Sequence, residues 1–402
     1  MKVELLIEAE NVVTPFGKGP LRRDKMVLNV LKKVYIVVVD GRIVDITDSD
    51  KPYDPLFRLK AKIVLPGFVD PHTHIPFYGY REDEFVMRAQ GVSYMEILKK
   101  GGGIVNTTEK VRKASIGDLV LFNIKFLDDM LKKGITTIEG KSGYGLRKED
   151  EIKQLKVLKI LNKLHSIDIF PTFLGAHAFP KDKTKEEYME ELVKMLDEVR
   201  EYTDTIDVFC DKGVFTPDIA KRLLEEAKKR GFRIRMHADE IENVGATKLA
   251  IELGAVSVDH VLKIGDEEIE KLSKSDVAVV LMPGTSYFLN ESFAKARKLI
   301  DSGAIVALAS DFNPGSCTIN DPSLIMNLAV LKLKMTPEEA IIAYTLNSSA
   351  VLETAHDRGS IEIGKKADFV LYDLPSYNAI PYLPSHNVVE AVIKNGKVVY
   401  RK

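Results

Sequence analysis

Two histidines in the stretch Pro71-His72-Thr73-His74 follow an apolar run over residues 63–70. In an extended segment alternate side chains share a face, so His72 and His74 can both reach one ion. Imidazole nitrogen is a preferred ligand of zinc and iron. A lone His-x-His is as readily a polar surface turn, but further polar residues close other apolar runs of this chain. His237 ends Phe232-Arg233-Ile234-Arg235-Met236, and Asp311 ends the run over 304–311. A buried carboxylate there needs a partner, either a cation or the N–H groups of a following helix. His72, His74, His237 and Asp311 together offer three imidazoles and a carboxylate with room for a water. An ion held by such a set lowers the pKa of bound water toward ~7.

Positioning these residues requires a particular scaffold. Short β-branched runs at 63–70, 135–141, 168–175, 205–211, 232–238, 255–261, 278–284 and 304–311 alternate with amphipathic segments such as 119–134, 185–202 and 217–231. Pro217 after Thr216 and Gly231 after Arg230 mark a helix start and stop. Eight strand–helix units predict a parallel sheet closed into a (β/α)8 TIM-like barrel. An open doubly wound sheet is the alternative, but no GxGxxG follows the first strand. Barrel active sites lie at the C-terminal strand ends, and the unusual polar residues collect there. Tyr144 follows the second strand and His177 the third. Asp239 and Glu240 follow the fifth, Asp259 and His260 the sixth, and Asn313 the eighth. Only His165, His356 and His386 of the eight histidines lie elsewhere. Residues 1–65 and 360–402 read as strands and turns, with hairpin signals at Asp40-Gly41 and Asn395-Gly396. They predict a small β-sandwich domain built from both chain ends, beside a barrel domain over 66–359.

Composition narrows the classes. The 402 residues carry 58 Lys+Arg and 59 Asp+Glu, a net charge of −1, so no nucleic-acid partner is expected. No run approaches the ~18 apolar residues of a membrane helix, and Met1–Val13 does not read as a signal peptide. The two cysteines, Cys210 and Cys317, form no CxxC pair. They read as small buried residues of a cytoplasmic protein, not as a disulfide or zinc site. Gly101-Gly102-Gly103 lacks the Lys-Ser/Thr of a phosphate loop and reads as a mobile loop or lid beside the barrel mouth. A two-metal site would need a bridge such as a carboxylated lysine. Lys212 falls in a loop beyond the fourth strand, so one metal ion is expected.

VLPGFVDPHTH (64–74), HADE (237–240), Asp259-His260 and SDFNPGS (310–316) resemble the amidohydrolase superfamily. The stretch over 72–104, SGYGL (142–146), TFLGAHAFP (172–180), DVFCDKGVF (207–215) and SDFNPGSC (310–317) closely resemble its imidazolonepropionase family. The resemblance covers most of the chain. It implies hydrolytic opening of the ring of 4-imidazolone-5-propanoate to N-formimino-L-glutamate, in histidine degradation. It also implies one transition metal ion, zinc or iron, on His72, His74, His237 and Asp311, and a homodimer. Substrate contacts are implied at Arg81, Tyr144, His177, Asn313, Gly315 and Ser316, with Glu240 touching the ring or the attacking water.

Physical chemistry suits these roles. Arg81 offers a planar fork to a propanoate carboxylate. His177 is expected to donate to the ring carbonyl. Asn313-Pro314-Gly315 is strong turn chemistry that would present polar groups to a ligand. Asp311 would accept the proton of water, His260 would orient that water and stabilise the oxyanion, and Glu240 would carry a proton to the leaving nitrogen. Spacing leaves open which of the three is the base. The chain departs from the family pattern at Tyr78-Gly79-Tyr80, which would reshape the pocket wall. Two alternatives stand beside this reading. A mononuclear deaminase of another heterocycle shares the ligands but has no use for Arg81. A non-catalytic scaffold typically loses ligands that are all present here.

Overall fold

β1 (Lys2–Thr14), β2 (Asn29–Val39), β3 (Arg42–Thr47) and β4 (Asp54–Pro66) open the chain. Eight strands follow: β5 (Phe68–Asp70), β6 (Ile135–Lys141), β7 (Asp168–Ala176), β8 (Thr205–Cys210), β9 (Arg233–Ala238), β10 (Ser257–His260), β11 (Ala278–Leu281) and β12 (Ile305–Leu308). Each lies parallel to its successor, with helices such as Ile116–Lys132 and Pro217–Lys229 between them. The chain returns through β13 (Phe369–Tyr372), β14 (Val389–Lys394) and β15 (Lys397–Arg401) to a second sheet, ordered β15-β14-β13-β4-β1-β2-β3. This computed structural model describes residues 1–92, 96–97 and 101–402. The fold is the (β/α)8 barrel with a separate sheet from both chain ends.

The terminal sheet curls because its two hairpin turns are tied together. Asp40 and Gly41 have φ of 50° and 70°, and Asn395 and Gly396 have 48° and 75°. A two-residue hairpin turn of the favoured twist needs this left-handed pair. Ala367 N donates to Gly41 O at 2.9 Å, and Gly396 N donates to Ala367 O at 2.9 Å. Leu5, Ile7, Ile36, Val38, Phe369 and Ile393 then meet in one apolar core.

Residues 63–70 were expected as one strand, and the structure divides them. Up to Pro66 they pair with β1 and β13, and from Phe68 they pair with β6. Gly67 makes the transition. A Cβ there would lie 2.3 Å from Thr136 Oγ1, so only glycine lets the backbone pass. The eighth strand also ends earlier than expected, at Leu308. The residues beyond it join the two edges of the barrel sheet. Asp311 N donates to His72 O at 3.0 Å, and His74 N donates to Phe312 O at 2.9 Å. Below this seam Asp70 accepts from Ser310 N at 3.1 Å and from the Tyr344 hydroxyl at 2.9 Å. Among the described residues no helix is long and apolar enough to cross a membrane.

At the opposite end of the barrel, Asp168 at the start of β7 meets Lys394 at 2.9 Å, Arg358 at 2.5 Å and Lys366 at 3.4 Å. Burial opposes its ionisation, but Lys394, Arg358 and Lys366 outweigh that and hold the carboxyl well below its usual range. Lys394 belongs to the terminal sheet, so this cluster fastens it to the barrel. Removing one partner of a buried pair costs about 3–5 kcal/mol; Asp168 is partly exposed, and Asp168→Asn is expected to lower the unfolding free energy at pH 7 by roughly 2 kcal/mol. The folded pKa is depressed, so this contribution is present above the unfolded value of about 3.9 and lost below it. Denaturant titrations should therefore show the gap between wild type and variant closing below about pH 4. A gap that stays constant on acidification contradicts this account.

Candidate metal centre

Four donor atoms converge at the barrel seam. His72 Nε2 lies 3.3 Å from His74 Nε2, which lies 3.4 Å from His237 Nε2. Asp311 Oδ1 is 3.2 Å from His74 Nε2 and 3.5 Å from His72 Nε2. Ligand bonds of about 2.0–2.1 Å around a tetrahedral ion imply donor–donor edges of about 3.3–3.4 Å. The protons are placed to suit. His72 Nδ1 donates to Asp259 Oδ2 at 2.6 Å, and His237 Nδ1 lies 3.0 Å from Asp207 Oδ2. Protons on Nδ1, toward these carboxylates, would leave both Nε2 lone pairs bare and close to His74 Nε2, an arrangement that repels itself without a cation. Burial pushes His72 down to about 3 and His74 down to about 4, so both stay in the neutral form that ligates. Asp311 Oδ1 has no hydrogen-bond partner among the described residues, while its Oδ2 accepts from Thr285 Oγ1 at 2.7 Å. Burial raises the Asp311 carboxyl, but His72 and His74 outweigh it and hold it well below its usual range. These residues fit a metal ion.

Sharp turns at the strand ends aim the side chains. Asp239, His260 and Asp311 have φ of 51°, 75° and 54°, a region that non-glycine residues rarely occupy. His260 Nδ1 stands 3.5 Å from Glu240 Oε1. Burial raises the Glu240 carboxyl above its usual range, against the opposing influence of His260. Asp211 holds the Glu240 backbone through N–H···O contacts of 2.7 and 2.8 Å from Glu240 and Ile241.

A cavity of about 560 Å³ opens over the donor atoms. Arg81, Tyr144, His177, Glu240, His260 and Ser316 border it. The Arg81 side chain is 7% exposed and pairs with Glu84 at 2.8 Å, and its buried Nε has no hydrogen-bond partner among the described residues. Gly315 makes room for it, since a Cβ there would lie 2.1 Å from Arg81 Nη1. Tyr144 sits in a loop that Glu151 holds by accepting from Gly143, Gly145 and Leu146 N–H groups, each at 2.8 Å. Burial pushes the Tyr144 hydroxyl above its usual range, so it stays protonated.

Several expectations change. His177 Nδ1 donates to Gly143 O at 2.9 Å, and burial, with His74 and His237 nearby, lowers its pKa well below the usual value. The neutral ring in this arrangement offers Nε2 as a hydrogen-bond acceptor to a ligand N–H or O–H, where donation to a ring carbonyl was expected. Asn313 spends its amide on its own loop. Its Oδ1 accepts from Gly315 N at 2.8 Å and Ser316 N at 2.7 Å, and its Nδ2 donates to Asp311 O at 2.6 Å. Asn313 shapes the turn and also meets the Ser316 hydroxyl, and Asn313, Ser316 and Arg81 all border the cavity. Tyr78 and Tyr80 pack on Phe122, with centroids at 5.1 and 5.4 Å, and do not border the cavity. Gly102 and Gly103 are buried, and Gly103 N donates to Glu84 at 3.0 Å, so this end of the expected lid is tied to Arg81's partner. Residues 93–95 and 98–100 before it lie outside the described residues.

Other readings hold. Lys212 is exposed and pairs with Glu242. Cys210 and Cys317 are buried; burial pushes the Cys210 thiol up to about 12 and Cys317 still higher. Thr285, Glu151 and Asp207 escaped the sequence reading. The available signal for Asp207 was a lone acid inside the apolar run of β8; Thr285 and Glu151 had none.

A model of the amidohydrolase family matches residues 63–399. Solved structures share the fold at low identity. An adenosine deaminase from Xanthomonas campestris with bound zinc superposes with a TM-score of 0.74 at 19% identity, over 99% of this chain and 93% of that one. An ochratoxinase from A. niger does so with 0.74 at 17%, over 100% and 97%. Sequence relatives are far more similar. The imidazolonepropionase of Kosmotoga olearia is 52% identical over the full length of both chains, and that of Clostridium tetani is 44% identical over 99% of this chain and 98% of its own. The chain belongs to the amidohydrolase family, on its imidazolonepropionase branch.

His74→Ala and Asp311→Ala each remove one converging donor. After dialysis, elemental analysis is expected to find one transition metal ion per wild-type chain and little in either variant. Full retention in both would show that these atoms hold no ion.

Proposed function

We propose that this centre opens the imidazolone ring of 4-imidazolone-5-propanoate with water, giving N-formimino-L-glutamate. The observation that carries the reading is the convergence of three imidazoles and Asp311 under a cavity whose wall holds a buried arginine with a free edge. The ion is zinc or iron, the metals suited to a nitrogen-rich set with one carboxylate. His72, His74, His237 and Asp311 would hold it, and when bound it would supply Lewis acidity to the attacked carbonyl and a lowered pKa to the nucleophilic water.

The chain's own groups then divide the work. Arg81 pairs with the propanoate carboxylate and orients the ring, using the edge that Glu84 leaves open. Neutral His177 accepts a ring N–H. Asp311, fixed by Thr285, takes the proton of water as oxygen attacks the carbonyl carbon. His260 stabilises the oxygen that gains charge. Glu240, whose burial favours the protonated form, gives a proton to the ring nitrogen as the C–N bond breaks. Tyr144 closes the wall beside His74 and His177. The ring carbonyl becomes the α-carboxylate of the product, and the released nitrogen stays bonded to the ring CH as the end of the formimino group, so no ammonia leaves. Buried free thiols fit a reducing cytoplasm. A homodimer is the assembly we propose; a monomer mass by light scattering would overturn it.

Metal-loaded protein given imidazolone propanoate should consume the ring absorbance and form N-formimino-L-glutamate stoichiometrically. Ammonia release, or no turnover, overturns the reading. Losing a charged hydrogen bond is worth about 1.5–3 kcal/mol, so Arg81→Met should raise KM roughly 10- to 100-fold with a smaller change in kcat. Glu240→Gln should do the reverse, lowering kcat by about 10²–10⁴ with KM nearly unchanged. Steady-state kinetics on both variants separates the two roles.

A further inference from the structure

Directly beneath the converging imidazoles, the barrel core is ionic where such a core is usually apolar. Glu139 and Lys141 on β6, Asp207 on β8, Arg235 on β9 and Asp259 on β10 are all buried, at 1% exposure or less. Lys141 Nζ sits 2.7 Å from Asp207 Oδ2 and 2.7 Å from Glu139 Oε2. Arg235 Nη2 sits 3.0 Å from Asp259 Oδ2, and its Nη1 meets the other Glu139 oxygen. Thr172 and Ser257 fill remaining valences, Thr172 donating to Glu139 at 2.5 Å and Ser257 to Asp259 at 2.7 Å.

Such a cluster is a poor way to stabilise a core, since well-packed apolar residues usually do as well or better. Its connections upward give it another use. Asp207 Oδ2, the oxygen on Lys141, also meets His237 Nδ1 at 3.0 Å. Asp259 Oδ2, the oxygen on Arg235, also meets His72 Nδ1 at 2.6 Å. Two chains of contact therefore run from cation to carboxylate to imidazole, and both start from Glu139. His74 differs: its ion-pair contact is through Nε2 to Asp311, and among the described residues no carboxylate is paired with its Nδ1.

We propose that Lys141 and Arg235 are positioning residues for the metal centre: each fixes the carboxylate that orients one imidazole ligand, and Glu139 keeps the two relays in register. The inference rests on the metal-centre reading above. Neither cation touches substrate or ion. Lys141 acts on His237 through Asp207, and Arg235 acts on His72 through Asp259. Partners that orient ligands in this way typically contribute 10–100-fold in metal affinity.

The test measures metal binding itself. Wild type, Lys141→Met and Arg235→Met are stripped with chelator, and Zn(II) affinity is read by competition with a chromogenic chelator. Co(II) in the same site reports ligand geometry through its visible absorption. Each methionine variant is expected to bind Zn(II) about 10–100-fold more weakly and to show an altered Co(II) band. Glu139→Gln should weaken binding through both relays, and Arg235→Lys should recover part of the loss. Where a methionine variant does not fold, Lys141→Arg and Arg235→Lys are subjected to the same two readouts, since either displaces the charge from its carboxylate. Zn(II) affinity and Co(II) absorption equal to wild type, with only the melting temperature of the metal-free protein lowered, would make these residues purely structural and overturn the inference. Wild type that binds no transition metal would overturn the metal-centre reading as well, which separates the two failures.

Discussion

The barrel ring closes where the converging donor atoms stand. β5 and β12 are the two edges of the barrel sheet, and the hydrogen bonds that join them belong to His72, His74, Asp311 and Phe312. The same short segments that seal the barrel carry three of the four converging donor atoms. Their spacing is therefore set by main-chain hydrogen-bond geometry, with little left to side-chain choice. Asp70 reinforces this from below by tying Ser310 to Tyr344. It is fully buried, and burial pushes its carboxyl up to about 6 against the hydrogen bonds that favour the charged form. The fourth donor, His237, comes from the far side of the ring and needs its own fixture, which Asp207 supplies.

The cavity above the donors follows another logic, with small residues and loop carboxylates shaping one wall. Gly315 is the absence that lets Arg81 lie flat. Glu84 occupies one edge of that guanidinium, and the same carboxylate reaches Gly103 and Asn106 across the mouth. On the neighbouring wall Glu151 gathers three N–H groups of a glycine-rich turn and so presents Tyr144. In both cases a buried acid organises backbone, and the residue it organises faces the cavity.

Much of this was legible in the sequence because periodicity and punctuation report backbone. Eight β-branched runs gave the barrel, and Asp40-Gly41 and Asn395-Gly396 gave both hairpins. Polar residues at the ends of apolar runs gave His72, His74, His237 and Asp311 as candidates. What stayed hidden was relational. An imidazole's type does not say which nitrogen carries the proton, so the orientation of His177 depended on seeing Gly143 O. Asn313 in a turn motif does not show that its amide is consumed locally. Lys141 and Arg235 look like ordinary charges in strands until β8, two strands away, brings Asp207 to Lys141 and the adjacent β10 brings Asp259 to Arg235. The strand over 63–70 was misread as continuous because apolar residues on both sides of Gly67 suit either sheet, and only Thr136 from β6 makes the break necessary.

The pairing order of the terminal sheet also bears on how the polypeptide is made. β4 is flanked by β1 on one side and by β13 on the other, and some three hundred residues separate β4 from β13. During synthesis one edge of β4 stays open until the barrel has been translated, and an unpaired edge invites pairing with another nascent chain. The part of β4 that waits for β13, Ile63–Pro66, carries no charge of its own, and the cations Arg58, Lys60 and Lys62 lie just before it on the part that β13 leaves uncovered.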